Sequence, residues 1–317
     1  MNRRRDPGAG TDEHDVEFVA QRAELRQRDV RNIIVTCCVV VAAAAACLYW
    51  MLSRTIKPGK LELGVIPILL FNGSVALAAT VFELILASDD FAMVCRYGVM
   101  GRPEIPVVTY DFHHFGKWST FTYMTNSLGM VYFWLATVLA WLQWSDHSTP
   151  TWLVRATSLL WEIIFPMSFL INLVVTFAII PGAKKMGKFD QVWEMTRWRP
   201  QTTHNGFVLV SAFEAVLATP ELQLADFPVL VIYGIFYIVF SRLLFLRTGV
   251  FHYFFIDPRF QFQPVAIVCL LAVLGFTYIL CHFGIVLASQ YAWAKVVIVI
   301  AALATCTFSD KDAKPPT

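Results

Sequence analysis

A chain of 317 residues that is 57% hydrophobic, carries 26 phenylalanines and holds only 15% charged residues has the composition of an integral membrane protein, and its mean hydropathy of +0.58 argues against a soluble fold. Its net charge of +2 is too small to draw in nucleic acid, and the positive residues sit in connections rather than along a stripe.

Residues 1–31 are polar and mix acids with seven arginines, Arg3, Arg4, Arg5, Arg22, Arg26, Arg28 and Arg31. The stretch is too long and too acidic for the charged start of a signal peptide, so it is expected to persist as an exposed arm. A membrane crossing takes ~20 predominantly apolar residues, and by that measure about eight follow, near 32–53, 64–87, 120–144, 157–180, 204–219, 227–247, 264–288 and 292–308. The fifth and eighth are short. The expected fold is therefore all-α, a polytopic transmembrane helix bundle filling 32–308, with a tail at 309–317.

Lysine and arginine crowd into the arm and every second connection after it, through Arg96, Arg102 and Lys117, then the group from Lys184 to Arg199, then Arg247 and Arg259. The positive-inside rule then predicts a multi-pass protein with both termini in the cytoplasm. It also puts the starts of the 120–144 and 204–219 segments, and the loop holding Asp257, near one membrane face.

At the start of the 120–144 segment, Thr122, Thr125, Asn126 and Gly129 fall on one helical face. Lipid offers hydroxyls and amides no partner, so this stripe is expected to turn inward. His204 opens the next such segment, TTHNGFVLVSAFEAVL, and Glu214 lies ~15 Å deeper at 1.5 Å per residue. A threonine hydroxyl becomes a nucleophile when an imidazole takes its proton, and Asn126 or nearby N–H groups are candidate oxyanion partners. Six of the seven cysteines lie in apolar runs, without CxxC pairs, and the seven histidines lack metal-ligand spacing, so neither cofactor nor metal is expected. No GxSxG, Walker or HExxH motif is present.

Three stretches together carry a family resemblance. GKWSTFTY ends its motif on Thr122; HNGFVLVSAFEAVL sets His204 ten residues before Glu214; and Tyr237 is followed by RTGVFHYFFID, which contains Tyr253 and Asp257. In order and spacing they resemble the androgen-induced-gene and androgen-dependent tissue-factor-pathway-regulator family of membrane threonine hydrolases, which cleave fatty acid esters of hydroxy fatty acids. The similarity spans about 64–293 and implies a six-span core with one extra span at each end. It also implies a Thr122 nucleophile, a His204 base and supporting roles for Glu214, Tyr253 and Asp257.

Three functions stand open on sequence alone: a lipid ester hydrolase acting on membrane lipids, a non-catalytic scaffold or assembly subunit, and a transporter. The arm and the added spans would offer contact surface to a protein partner.

Overall fold

The computed structural model describes residues 65–87, 93–97, 108–112, 114–185, 192–193 and 195–307. The arm and the 32–53 segment lie outside them. Seven principal helices carry the bundle: α1 Val65–Ala87, α2 Phe121–Trp144, α3 Thr151–Val174, α4 Phe207–Leu217, α5 Phe227–Thr248, α6 Gln263–Gln290 and α7 Ala292–Thr305. Their backbone groups are satisfied within each segment, the condition for crossing hydrocarbon.

Local sequence sets the ends. The Thr120 hydroxyl accepts the Tyr123 N–H at 3.3 Å and caps α2. Pro228 and Pro264 sit in the first turns of α5 and α6, where a missing N–H costs nothing. Gly249, at φ 75°, ends α5 in the left-handed conformation. α3 continues through a π-helical turn, Val175–Ile179, into Ile180–Lys185. Pro181 follows at once, and the wider turn accommodates its lost N–H.

Among the described residues, five helical stretches are long and apolar enough to cross a membrane: Val65–Ala87, Phe121–Trp144, Thr151–Lys185, Leu224–Thr248 and Gln263–Gln290. Their outer faces are apolar too, with Leu70 64% and Phe276 62% exposed, which is compatible with a multi-pass membrane protein. Among the described residues the expected fifth and eighth segments are the ones that fall short of that crossing length. The 204–219 segment contains α4, an 11-residue helix whose Val208, Ser211, Ala212 and Ala215 are fully enclosed. Much of its surface meets protein, although Phe213 is 45% exposed, and 11 residues are fewer than a crossing takes. α7 has 14 residues, ~21 Å at 1.5 Å per residue against a hydrocarbon core of ~30 Å. Ala294, Ile298, Ala302 and Thr305 form its inward stripe.

The fold is helical as expected, with a short hairpin between α1 and α2. Met93–Tyr97 (β1) and Val108–Phe112 (β2) form an antiparallel hairpin, pairing Met93 with Phe112 and Tyr97 with Val108. At the core of the bundle, Trp161 stacks on Phe165 at 4.7 Å and packs on Tyr132 at 5.4 Å.

Up-and-down helix order gathers the chemistry at one end. Lys117 Nζ donates to the Leu86 carbonyl at 2.6 Å, tying the end of α1 to the start of α2. Asn126 Nδ2 reaches the Thr203 carbonyl at 3.1 Å, and Gln201 Nε2 reaches that of Thr307 at 2.6 Å.

Candidate functional site

The first turn of α2 separates two neighbouring hydroxyls by role. Thr120 is committed to the helix cap, whereas Thr122 lines an apolar cavity of about 210 Å³ between α3, α5 and α6. Tyr237 and Tyr253 join Thr122 in its wall, which is otherwise almost wholly aliphatic. The Thr122 hydroxyl and the Tyr253 phenol stand 3.5 Å apart.

The polar stripe of α2 faces the protein. Thr125 is fully buried and donates to the Phe121 carbonyl at 2.8 Å, so the Tyr233 hydroxyl, 2.9 Å away, is its donor. One helical turn beyond Thr125, Gly129 lies under the Phe207 ring so closely that a Cβ there would stand 2.4 Å from Cε2.

Tyr253 is held by its own loop. The preceding residue, His252, sits 2.7 Å from Ser119 Oγ. Ser119 has one proton and places it on the Gly116 carbonyl at 2.5 Å, so His252 Nε2–H donates to Ser119. Phe112 packs on the imidazole at 4.7 Å, and burial pushes the His252 pKa down to about 4. The Tyr237 hydroxyl donates to the Ser119 carbonyl at 3.2 Å. Burial raises the Tyr253 pKa, while the Thr122 hydroxyl and the N–H groups of Thr122 and Phe121 draw it back. Tyr253 therefore stays a neutral phenol at the N-terminus of α2, facing donors that the helix itself leaves unused.

His204 occupies the middle of a π-helical turn, Thr202–Gly206. The turn is pinned on either side of it. Asn126 holds the Thr203 carbonyl, and Asn205 donates to Gln201 and to the Thr307 carbonyl. Among the described residues, His204 Nδ1 is enclosed without a hydrogen-bond partner, which is unusual for a buried ring nitrogen. π-bulges often mark functional positions. His204 is nevertheless absent from the wall of the cavity that holds Thr122.

Glu214 and Asp257 are engaged elsewhere. Glu214, 2% exposed, accepts from Asn72 at 3.2 Å and Tyr132 at 3.1 Å, deep between α1, α2 and α4. Asp257 is fully buried and grips Arg259 through both carboxylate oxygens at 2.9 to 3.2 Å, while accepting the Arg259 N–H at 2.9 Å. That pair shapes the loop after Tyr253.

Sequence reasoning overlooked Ser119 and His252. They lie 133 residues apart, and the sequence signal was slight: Ser119 falls within the GKWSTFTY stretch, and His252 precedes Tyr253. Among the described residues no cluster of three histidine, cysteine or acidic side chains is placed to hold a metal ion. No protein-family model, curated protein or solved structure matches the chain.

Proposed function

We propose that this chain is an integral-membrane lipid ester hydrolase, similar in chemistry to hydrolases of fatty acid esters of hydroxy fatty acids, with Thr122 as nucleophile and His204 as base. The observation that carries this reading is the Thr122 hydroxyl at the polar end of an apolar cavity of about 210 Å³. A lipid ester needs that juxtaposition of an oily recess and a reactive oxygen.

In the proposed reaction, Thr122 Oγ attacks the ester carbonyl carbon and its proton passes to His204. The carbonyl oxygen gains negative charge near the Phe121 and Thr122 N–H groups and the Tyr253 phenol, three donors at the positive end of the α2 dipole. The C–O bond to the alcohol breaks as His204 returns the proton to that oxygen. Water then attacks the acyl-threonine by the same route in reverse, releasing a carboxylic acid and restoring Thr122. Asn126 acts here as a positioning residue, holding the His204 turn against α2.

In the proposed setting the protein crosses the membrane about eight times, if the 32–53 segment and both short helices are counted as crossings, with both termini cytoplasmic and the Thr122 end facing the cytoplasm. A second reading, a lipid-binding scaffold without turnover, is favoured by the position of His204 outside the cavity wall. Ester turnover by purified protein separates the two. Under the hydrolase reading Thr122→Ala and His204→Ala each lower turnover by at least 100-fold, roughly the value of a nucleophile or general base. Wild-type rates in both variants would leave the scaffold.

A further inference from the structure

The cavity wall contains one residue whose identity helix packing does not explain. Gly234 sits in the middle of α5 within the run VLVIYGIFYIVF, surrounded by branched and aromatic side chains. Glycine is among the poorest helix residues, and in bundles it is justified where another element must approach closely. Gly129 is such a case, with the Phe207 ring lying where its Cβ would be. Gly234 is the opposite case: a Cβ built there meets no atom within 4 Å, although the residue lines the cavity. The missing side chain leaves open volume rather than admitting a neighbour.

That volume has a shape. On α6 the wall runs from Pro264 to Leu274, ten residues or ~15 Å at 1.5 Å per residue. On α5, Gly234 lies one turn deeper than Tyr237, and Tyr237 is tied to Ser119 at the Thr122 end. Gly234 thus stands just below the reactive hydroxyl, on the path into the bundle. An apolar cavity of about 150 Å³ holds one benzene ring, so about 210 Å³ admits one narrow hydrocarbon chain of medium length.

We propose that Gly234 is a specificity-determining residue that keeps open the channel for a single unbranched acyl chain, whose carboxyl end lies at Thr122. This inference rests on the hydrolase reading for its catalytic consequence, but chain binding itself does not need turnover. Two readouts on purified protein therefore test it: the turnover of nitrophenyl esters from butyrate to palmitate, and the binding of a fluorescent polyene fatty acid.

Gly234→Leu is expected to lower turnover of decanoate and longer esters by at least tenfold, to leave butyrate turnover within about twofold, and to abolish probe binding. Its thermal midpoint should stay level or rise, because leucine is the better helix residue. Leu271→Ala, in the α6 part of the wall, should shift the preference toward longer chains and keeps the test open if the leucine variant fails to fold. A wild-type chain-length profile and wild-type probe binding in both variants would overturn the proposal. Loss of the probe in Gly234→Leu, alongside turnover that Thr122→Ala leaves unchanged, would uphold the chain channel while removing the hydrolase.

Discussion

Thr120 and Thr122 are two residues apart and chemically identical, yet one hydroxyl is spent on the Tyr123 N–H and the other opens onto the cavity. Their alanine variants should therefore fail in different ways. Thr120→Ala is predicted to lose about 1 kcal/mol of stability with its cap while keeping turnover. Thr122→Ala is predicted to keep its thermal midpoint and lose turnover; paired melting curves and rates check both. His252 adds a pH signature. Its imidazole titrates near 6.5 when unfolded and at about 4 in the fold. Between those values the unfolded chain binds more protons, so stability rises with pH across that window and is lost as pH falls from about 6.5 toward about 4. His252→Gln is predicted to flatten this part of the thermal midpoint curve, and an unchanged slope would contradict the assignment.

Between helices, Gly129 lies closely beneath the Phe207 ring. Gly129→Ala is predicted to destabilise the fold by about 1–3 kcal/mol as the ring is forced aside, and Phe207→Leu should recover part of that loss in the double variant. The five long apolar helices among the described residues were legible in the sequence because a segment able to cross lipid must be apolar over its whole length. Whether α4 and the 14-residue α7 face lipid was not legible, since an apolar side chain looks alike whether lipid or protein covers it. The π-turns at Val175–Ile179 and Thr202–Gly206 leave no trace in hydropathy, because each changes the helical count by a single residue. The β1–β2 hairpin rests on two five-residue strands, too short for alternation to stand out.

On the scale of the molecule, three buried glutamates among the described residues act as cross-links, each bound by donors from distant segments. Glu83 accepts from the Trp118 indole at 2.5 Å and Ser127 at 2.9 Å. Glu162 accepts from Tyr278 and from the Gln223 N–H at 3.0 Å, and Glu214 from Asn72 and Tyr132. The sequence displayed them as costly intramembrane acids without naming their partners, which lie 35 to 142 positions away. Glu214→Leu strands the Asn72 and Tyr132 donors and should cost about 1–3 kcal/mol for each. Glu214→Gln keeps an acceptor for them, and its ester turnover is expected to stay near that of the wild type. The convergence of Thr122, Tyr253 and the His204 turn at one end of the bundle could be anticipated from the alternation of spans; the separation of His204 from the cavity wall could not, because it depends on where a π-turn aims one ring.

Treating the full-length membrane protein with a lipid-like fluorophosphonate and mapping the adduct by peptide mass spectrometry decides whether Thr122 is an activated nucleophile facing an oily recess. A single phosphonylated residue, Thr122, is expected, with labelling lost in Thr122→Ala, retained in Thr120→Ala and strongly reduced in His204→Ala. An unlabelled Thr122, or an adduct elsewhere that persists in Thr122→Ala, would contradict that role.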